Sequence, residues 1–309
     1  MRRVTLRKVQ LFFDRSPRGM VRTIREWIRG SFDATLTFTT FGPCPLRCNC
    51  CPWEVYRDSS VKLNTQVMTF EMFKRMLATV PKSVVINFGG FTESVLAPDM
   101  PLMAKYAYDK GHPLELFTTL VGLSDEGAEI LSKIHFDKLC IHVPDDQNTL
   151  FDAEKWLKLL AKFKGKRLKG ITFGALGKVD PRITAVIGEL PFFESHVFNK
   201  KQYYENQALP STTGKLQCMF NHTGLNIDQN CVAQNGDVAI CSQDYELKNI
   251  MGNLLTQTYQ QVMDSPVRKE FIRRMQTDDE PVLCRRCPHG SAATDKSVDP
   301  RYEHKWKKA

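Results

Sequence analysis

From residue 34 onward, short apolar runs alternate with amphipathic stretches. "ATLTFTTF" (34–41) alternates apolar and polar side chains and is rich in Thr and Phe, the pattern of a strand. "SVVINFGG" (83–90), "LELFTT" (114–119), "KLCIHV" (138–143), "GITFGAL" (170–176) and "SHVFNK" (195–200) predict five more. Helical periods lie between them. Residues 69–79 put Phe70, Phe73, Met76 and Leu77 on one face, and 98–110 and 152–163 are amphipathic. A further helix opens at Ser124, a good N-cap, and another spans 181–190 with Pro181 at its start. Six strands separated by five helices imply an α/β fold of parallel βα units, either a barrel or an open doubly wound sheet. In both, chemistry collects at the carboxyl ends of the strands.

The rhythm stops near Lys201. Beyond it, "LNI" (225–227) and "GDVAIC" (236–241) read as short strands bracketing a long turn, "DQNCVAQN". A helix of roughly Leu255–Met275 follows, and "LCRRCPHG" (283–290) closes the region. The expected organisation is a basic segment at 1–33 with an amphipathic helix near 19–28, a barrel at 34–200, a small α+β module at 201–290 and a basic tail at 291–309.

Composition narrows the class. The 309 residues are 42% hydrophobic and 25% charged, as in globular proteins, and no run of about 18 apolar residues predicts a membrane span. The first residues have no apolar signal region, so the expected location is cytoplasmic. Net charge is +9, concentrated as +7 in residues 1–30 and +4 in residues 284–309. Basic ends would suit a nucleic acid or another anionic partner, or would simply be solvated.

In a reducing compartment, clustered cysteines are metal or redox ligands more often than disulfides. The ten cysteines fall into a front group (44, 48, 50, 51), a rear group (218, 231, 241, 284, 287) and Cys140 alone. "CPLRCNCC" (44–51) contains C-x3-C-x2-C, with Cys50 as an extra thiol. Three thiolates from one loop suit a [4Fe–4S] cluster with one iron left open. A zinc site wants four ligands, which would force adjacent Cys50 and Cys51 to turn inward together.

C-x3-C-x2-C after the first strand of a βα barrel resembles the radical S-adenosylmethionine (SAM) superfamily. The resemblance implies a partial (β/α)6 TIM-like barrel, with Cys44, Cys48 and Cys51 as cluster ligands and SAM chelating the fourth iron. It also implies one-electron cleavage of SAM to methionine and a 5′-deoxyadenosyl radical. The residue before the last ligand is commonly aromatic in that family; here it is Cys50, with Trp53 just beyond. The second strand ends "NFGGFTES", similar to the family's Gly-Gly-Glu segment, so Gly89, Gly90 and Glu93 are expected to bind the amino group of SAM. Glycines let backbone approach a ligand, and a carboxylate pairs with an ammonium.

Position alone adds Thr118 and Thr119 at the end of strand three and His142 near the end of strand four. Cys140 reads either as a small core residue or as a thiol hydrogen donor to a substrate radical. In the rear group, Cys218, Cys241, Cys284 and Cys287 could form one four-thiolate site for zinc or a second cluster, with Cys231 an alternative to Cys218. The order C…G-x4-C…C-x2-C is similar to the twitch/SPASM-type extensions that carry auxiliary [4Fe–4S] clusters. No cysteine follows Cys287, so one auxiliary cluster is expected. The implied activity is hydrogen abstraction from a peptide, protein or sugar-type substrate, with an electron donor such as flavodoxin or ferredoxin. The competing readings are a nucleic-acid-modifying enzyme of the same superfamily and a non-catalytic zinc-stabilised binding protein.

Overall fold

The computed structural model describes residues 34–146, 153–164, 171–188, 192–193, 204, 211–218, 227–277, 281–287 and 289–292. The repeating unit is the expected one. Strands β1 (Thr35–Phe38), β2 (Val85–Phe88), β3 (Leu114–Thr118), β4 (Lys138–His142), β5 (Ile171–Gly174) and β6 (Phe192–Phe193) pair in parallel, each with its successor. The sixth strand expected at 195–200 lies outside the described residues; Phe192–Phe193 make the pairing with β5. The helix expected near 19–28 is likewise outside them, as is nearly all of the basic tail.

The first helix is α1 (Trp53–Ser60), which the sequence reading missed; its Tyr56 packs in a second cluster with Phe91, Cys231 and Tyr245. Helices α2 (Phe70–Leu77), α3 (Met100–Asp109), α4 (Asp125–Leu131), α5 (Ala153–Lys164) and α6 (Pro181–Ile187) cover one face of the sheet. Side-chain caps set three of their starts. Thr69, Ser124 and Asp180 accept from the backbone N–H groups of Met72, Gly127 and Arg182. Phe73, Met76 and Leu77 of α2 are buried against Leu36, Phe38, Ile86 and Phe88 in the main core. Each such side chain contributes about 1.5–3 kcal/mol of burial.

Strand residues that do not face this core are different in kind. Leu116, Leu139, Ile141 and Phe173 belong to it, while Thr37, Asn87, Glu115, Phe117, Cys140, His142 and Thr172 alternate with core residues and point to the opposite, concave side. Strands of a parallel sheet are normally covered on both faces. Here Phe117 is 37% exposed, and Glu115, Cys140 and His142 are partly exposed.

The rear module joins the same sheet. The stretch read as a long turn contains β8 (Gln229–Val232), which pairs in parallel with β1 and sets Thr37 opposite Cys231. Strands β9 (Asp237–Ala239) and β10 (Ile250–Asn253) continue antiparallel, giving nine strands in the order β10-β9-β8-β1-β2-β3-β4-β5-β6. The sheet is open. A boundary at residue 201 therefore divides the pattern along the chain but not the sheet. Outside it, β7 (Leu216–Cys218) pairs with β11 (Gly290–Ala292). The helix expected over 255–275 is two, α7 (Tyr259–Met263) and α8 (Pro266–Met275). Ser265 caps α8, and Pro266 has no N–H with which to continue α7.

Candidate cluster sites and the concave face

The front cysteine loop leaves the carboxyl end of β1 and is pinned to its surroundings. Gly42 N–H donates to the Gln66 carbonyl (2.9 Å), Met68 N–H to the Thr40 carbonyl (2.8 Å) and the Thr40 hydroxyl to the Ser94 carbonyl (2.7 Å). Cys51 N–H closes a turn onto the Cys48 carbonyl at 3.0 Å. Cys44, Cys48 and Cys51 are partly exposed, whereas Cys50 is buried. Trp53 opens α1 with the Arg47 and Arg57 guanidiniums 5.1 and 5.2 Å from its ring.

These thiols resist ionisation as they stand. Burial pushes Cys44 up to about 12, and the neighbouring Glu93 and Cys51 charges add to it. Cys48 is raised by burial and then by Cys50, Cys51 and Cys44. Three thiolates this close require a positive centre in place of their protons, which is what iron supplies. Soft sulfur donors suit an iron–sulfur cluster by their chemistry, although the described residues are not closed into a metal-holding arrangement.

Glu93 lies beside this loop. Its backbone N–H points to the Cys44 sulfur. Its carboxylate, fully buried, accepts from the Thr118 hydroxyl (2.8 Å) and Val95 N–H (3.3 Å) on Oε1, and from Thr119 N–H and hydroxyl (both 2.6 Å) on Oε2. Burial pushes its pKa up, which opposes ionisation, while these donors pull it down. Thr118 and Thr119 thus orient Glu93 from the end of β3.

Gly90 has a φ of +85°, and a Cβ there would fall 2.6 Å from Thr39 Oγ1 and 2.9 Å from Cys231 Sγ. Only glycine fits. A Cβ on Gly89 would lie 3.2 Å from Asn87 Oδ1.

The concave face carries the remaining front candidates. Cys140 stands opposite Thr172 on β5 and bonds to its side chain, not within the helix-side core; burial pushes its thiol pKa up. His142 Nε2 is 3.7 Å from Asp145 Oδ2 and makes no hydrogen bond, while Asp145 accepts from Leu176 N–H at 2.8 Å. Beside them Asn87 donates to Glu115 (3.1 Å), and Lys138 Nζ lies 4.8 Å from the Phe117 ring centroid. Asn87 and Glu115 were legible only as polar interruptions in "VINF" and "LELF".

The rear thiols assemble from three places. Cys218 ends β7, directly opposite Gly290 of β11; Cys241 follows β9; Cys284 and Cys287 flank a tight turn. All four meet electrostatically: Cys284 is raised by burial, then by Cys241, Cys287 and Cys218. Cys287 is pushed up to about 12 by burial and by Cys241, against the N–H groups of His289 and Gly290. A Cβ at Gly290 would fall 2.2 Å from the Cys284 carbonyl. Buried Arg285 donates to the carbonyls of Thr212 (2.9 Å), Gly214 (3.1 Å) and Thr277. Cys231 is elsewhere. It is buried in β8 with its sulfur 3.4 Å from the Thr39 hydroxyl. Among the described residues, no group of three or more His, Cys, Asp or Glu is arranged to hold a metal ion, and no helix is long and apolar enough to cross a membrane.

Comparison with known proteins bears on both sites. Residues 226–288 match the SPASM family, an iron–sulfur cluster-binding domain. No curated protein matches the chain in sequence. BtrN in complex with AdoMet and 2-DOIA superposes with a TM-score of 0.52 at 14% identity, covering 80% of this chain and 89% of BtrN. Native anSMEcpe with bound AdoMet and Kp18Cys peptide gives 0.51 at 17%, covering 82% and 86%. Streptococcus suis SuiB bound to precursor peptide SuiA gives 0.51 at 12%, covering 86% and 72%. The chain thus shares the fold of these three proteins, and its residues 226–288 match an iron–sulfur cluster-binding domain.

Proposed function

We propose that this protein is a radical SAM enzyme acting on a peptide, protein or sugar-type substrate bound at the concave face of the sheet. The observation that carries the reading is the meeting of Cys44 with Glu93: a three-thiol loop from β1 abuts an oriented carboxylate and a Gly-Gly turn from β2. Bound there, a [4Fe–4S] cluster and SAM supply one-electron cleavage of SAM and a 5′-deoxyadenosyl radical able to take a hydrogen atom from substrate.

The chain's own residues do the rest. Cys44, Cys48 and Cys51 hold iron, and Gly90 lets the turn that carries Glu93 pack against Thr39 and Cys231 beside them. Glu93, kept in one rotamer by Thr118 and Thr119, pairs with the amino group of SAM. Thr37, Asn87, Glu115, Cys140, His142 and Thr172 offer polar contacts to substrate, with Phe117 as an apolar floor. Cys218, Cys241, Cys284 and Cys287 hold one auxiliary cluster. An external donor such as flavodoxin or ferredoxin delivers the electron. The substrate class is supported by the ligands of the fold's other members: 2-DOIA with BtrN, and peptides with anSMEcpe and SuiB.

Anaerobic reconstitution tests this. The expected result is about eight irons per chain and 5′-deoxyadenosine formed on reduction with SAM. Colourless, zinc-loaded protein that leaves SAM intact would refute it.

A further inference from the structure

Tyr245 reaches from the rear module into the front cysteine loop. It follows Cys241 by four residues and is buried among Tyr56, Phe91 and Tyr204, with ring centroids 6.4, 5.0 and 5.8 Å away. Its backbone N–H donates to the Tyr204 hydroxyl at 2.9 Å, and that hydroxyl donates to the Gln243 carbonyl. The ring is therefore fixed from its backbone and from its faces. As a free thiol Cys51 donates to the Tyr245 hydroxyl at 4.0 Å, and that hydroxyl donates to the Gly90 carbonyl at 3.5 Å. One residue of the rear module thus touches both the front thiol loop and the Gly-Gly turn.

We propose that Tyr245 is a positioning residue that donates its hydroxyl hydrogen to the Cys51 sulfur of the SAM-binding cluster and raises that cluster's reduction potential. The proposal rests on the ligation by Cys51 proposed above. An iron-bound thiolate carries no proton and can only accept, so on ligation the phenol turns its one hydrogen from the Gly90 carbonyl to the sulfur. A hydrogen bond to a ligand sulfur draws off negative charge and favours the reduced cluster, which carries one charge more; such bonds are among the determinants of cluster potential. In a buried site the effect is strengthened by the low local dielectric. Because the hydroxyl is carried on the segment that begins at Cys241, occupancy of the rear site also fixes where this donor stands.

The test is an EPR-monitored redox titration of anaerobically reconstituted protein. Tyr245→Phe that retains its iron is expected to lower the front potential by about 59 mV or more, a tenfold change in a one-electron equilibrium. Tyr56→Phe keeps the neighbouring ring, removes a hydroxyl directed at Gln234 and is expected to leave the potential unchanged. Global replacement of tyrosine by 3-fluorotyrosine, a stronger donor, is expected to raise it, and this decides the matter if the Phe variant does not keep its front cluster. An unchanged potential in iron-replete Tyr245→Phe, an unchanged potential with fluorotyrosine, or an equal shift in Tyr56→Phe overturns the proposal. A Cys51→Ala chain that keeps about eight irons would instead remove the ligation reading itself.

Discussion

Thr119 donates both its N–H and its hydroxyl to one oxygen of Glu93, each at 2.6 Å, so that a residue at the end of β3 fixes a carboxylate delivered from β2. A buried carboxylate stripped of a donor bears much of its desolvation cost, about 1–3 kcal/mol. Thr119→Val keeps the volume and removes the hydroxyl. It is expected to destabilise the fold by about that amount in denaturant titration and to weaken SAM binding several-fold in calorimetry. Unchanged stability and affinity would mean that the carboxylate needs no such support.

The front thiols are not equivalent. Cys50 is buried while Cys44, Cys48 and Cys51 are partly exposed. Iron analysis of Cys44→Ala, Cys48→Ala and Cys51→Ala is expected to show about four irons remaining in each. Cys50→Ala is expected to keep the full complement and to support SAM cleavage. Loss of iron in the Cys50 variant would reassign the ligand set.

Behind the barrel the decisive contrast is between Cys218 and Cys231. Cys218 shares its surroundings with Cys241, Cys284 and Cys287, whereas Cys231 packs against Thr39 and Gly90. Cys218→Ala is expected to lose only the rear irons. Cys231→Ala is expected to keep all iron and to cost on the order of 1 kcal/mol through the small cavity it opens. Mössbauer quantification of the two variants separates these outcomes.

Arg285 sits between two rear thiols and ties three carbonyls together through its guanidinium. Lysine cannot reproduce that planar fork. Arg285→Lys is expected to lower rear iron occupancy while SAM cleavage at the front site persists. Full iron with an unchanged melting temperature would show that the fork is dispensable.

The parallel βα order was legible because apolar runs and capped amphipathic helices repeat with little ambiguity; Thr69 and Ser124 act as the caps their positions predict. The chemistry of "CPLRCNCC" was legible because thiol spacing is local. Partners far apart in the chain were not. Nothing in "DQNCVAQN" signals that Cys231 pairs beside Thr37, because a four-residue strand flanked by Asp, Asn and Gln resembles a turn. Helix α1 was hidden by its short, weakly apolar pattern, "WEVYRDSS". Tyr245 carried no periodic signal; its place follows from the loop between β9 and β10, which Asp244 holds by accepting from Lys248 and Asn249 N–H. Thr118 and Thr119 were found by position, but their carboxylate partner emerged only from the geometry.

The central claim is that the open iron of the front cluster, held by Cys44, Cys48 and Cys51, binds SAM. EPR spectroscopy of the reduced, reconstituted protein before and after SAM addition tests it most directly. The predicted result is a clear change in the g-values of one of two cluster signals, absent in Cys51→Ala and preserved in Cys218→Ala. Two cluster signals that ignore SAM, or a SAM-responsive signal that survives in Cys51→Ala, would contradict the account.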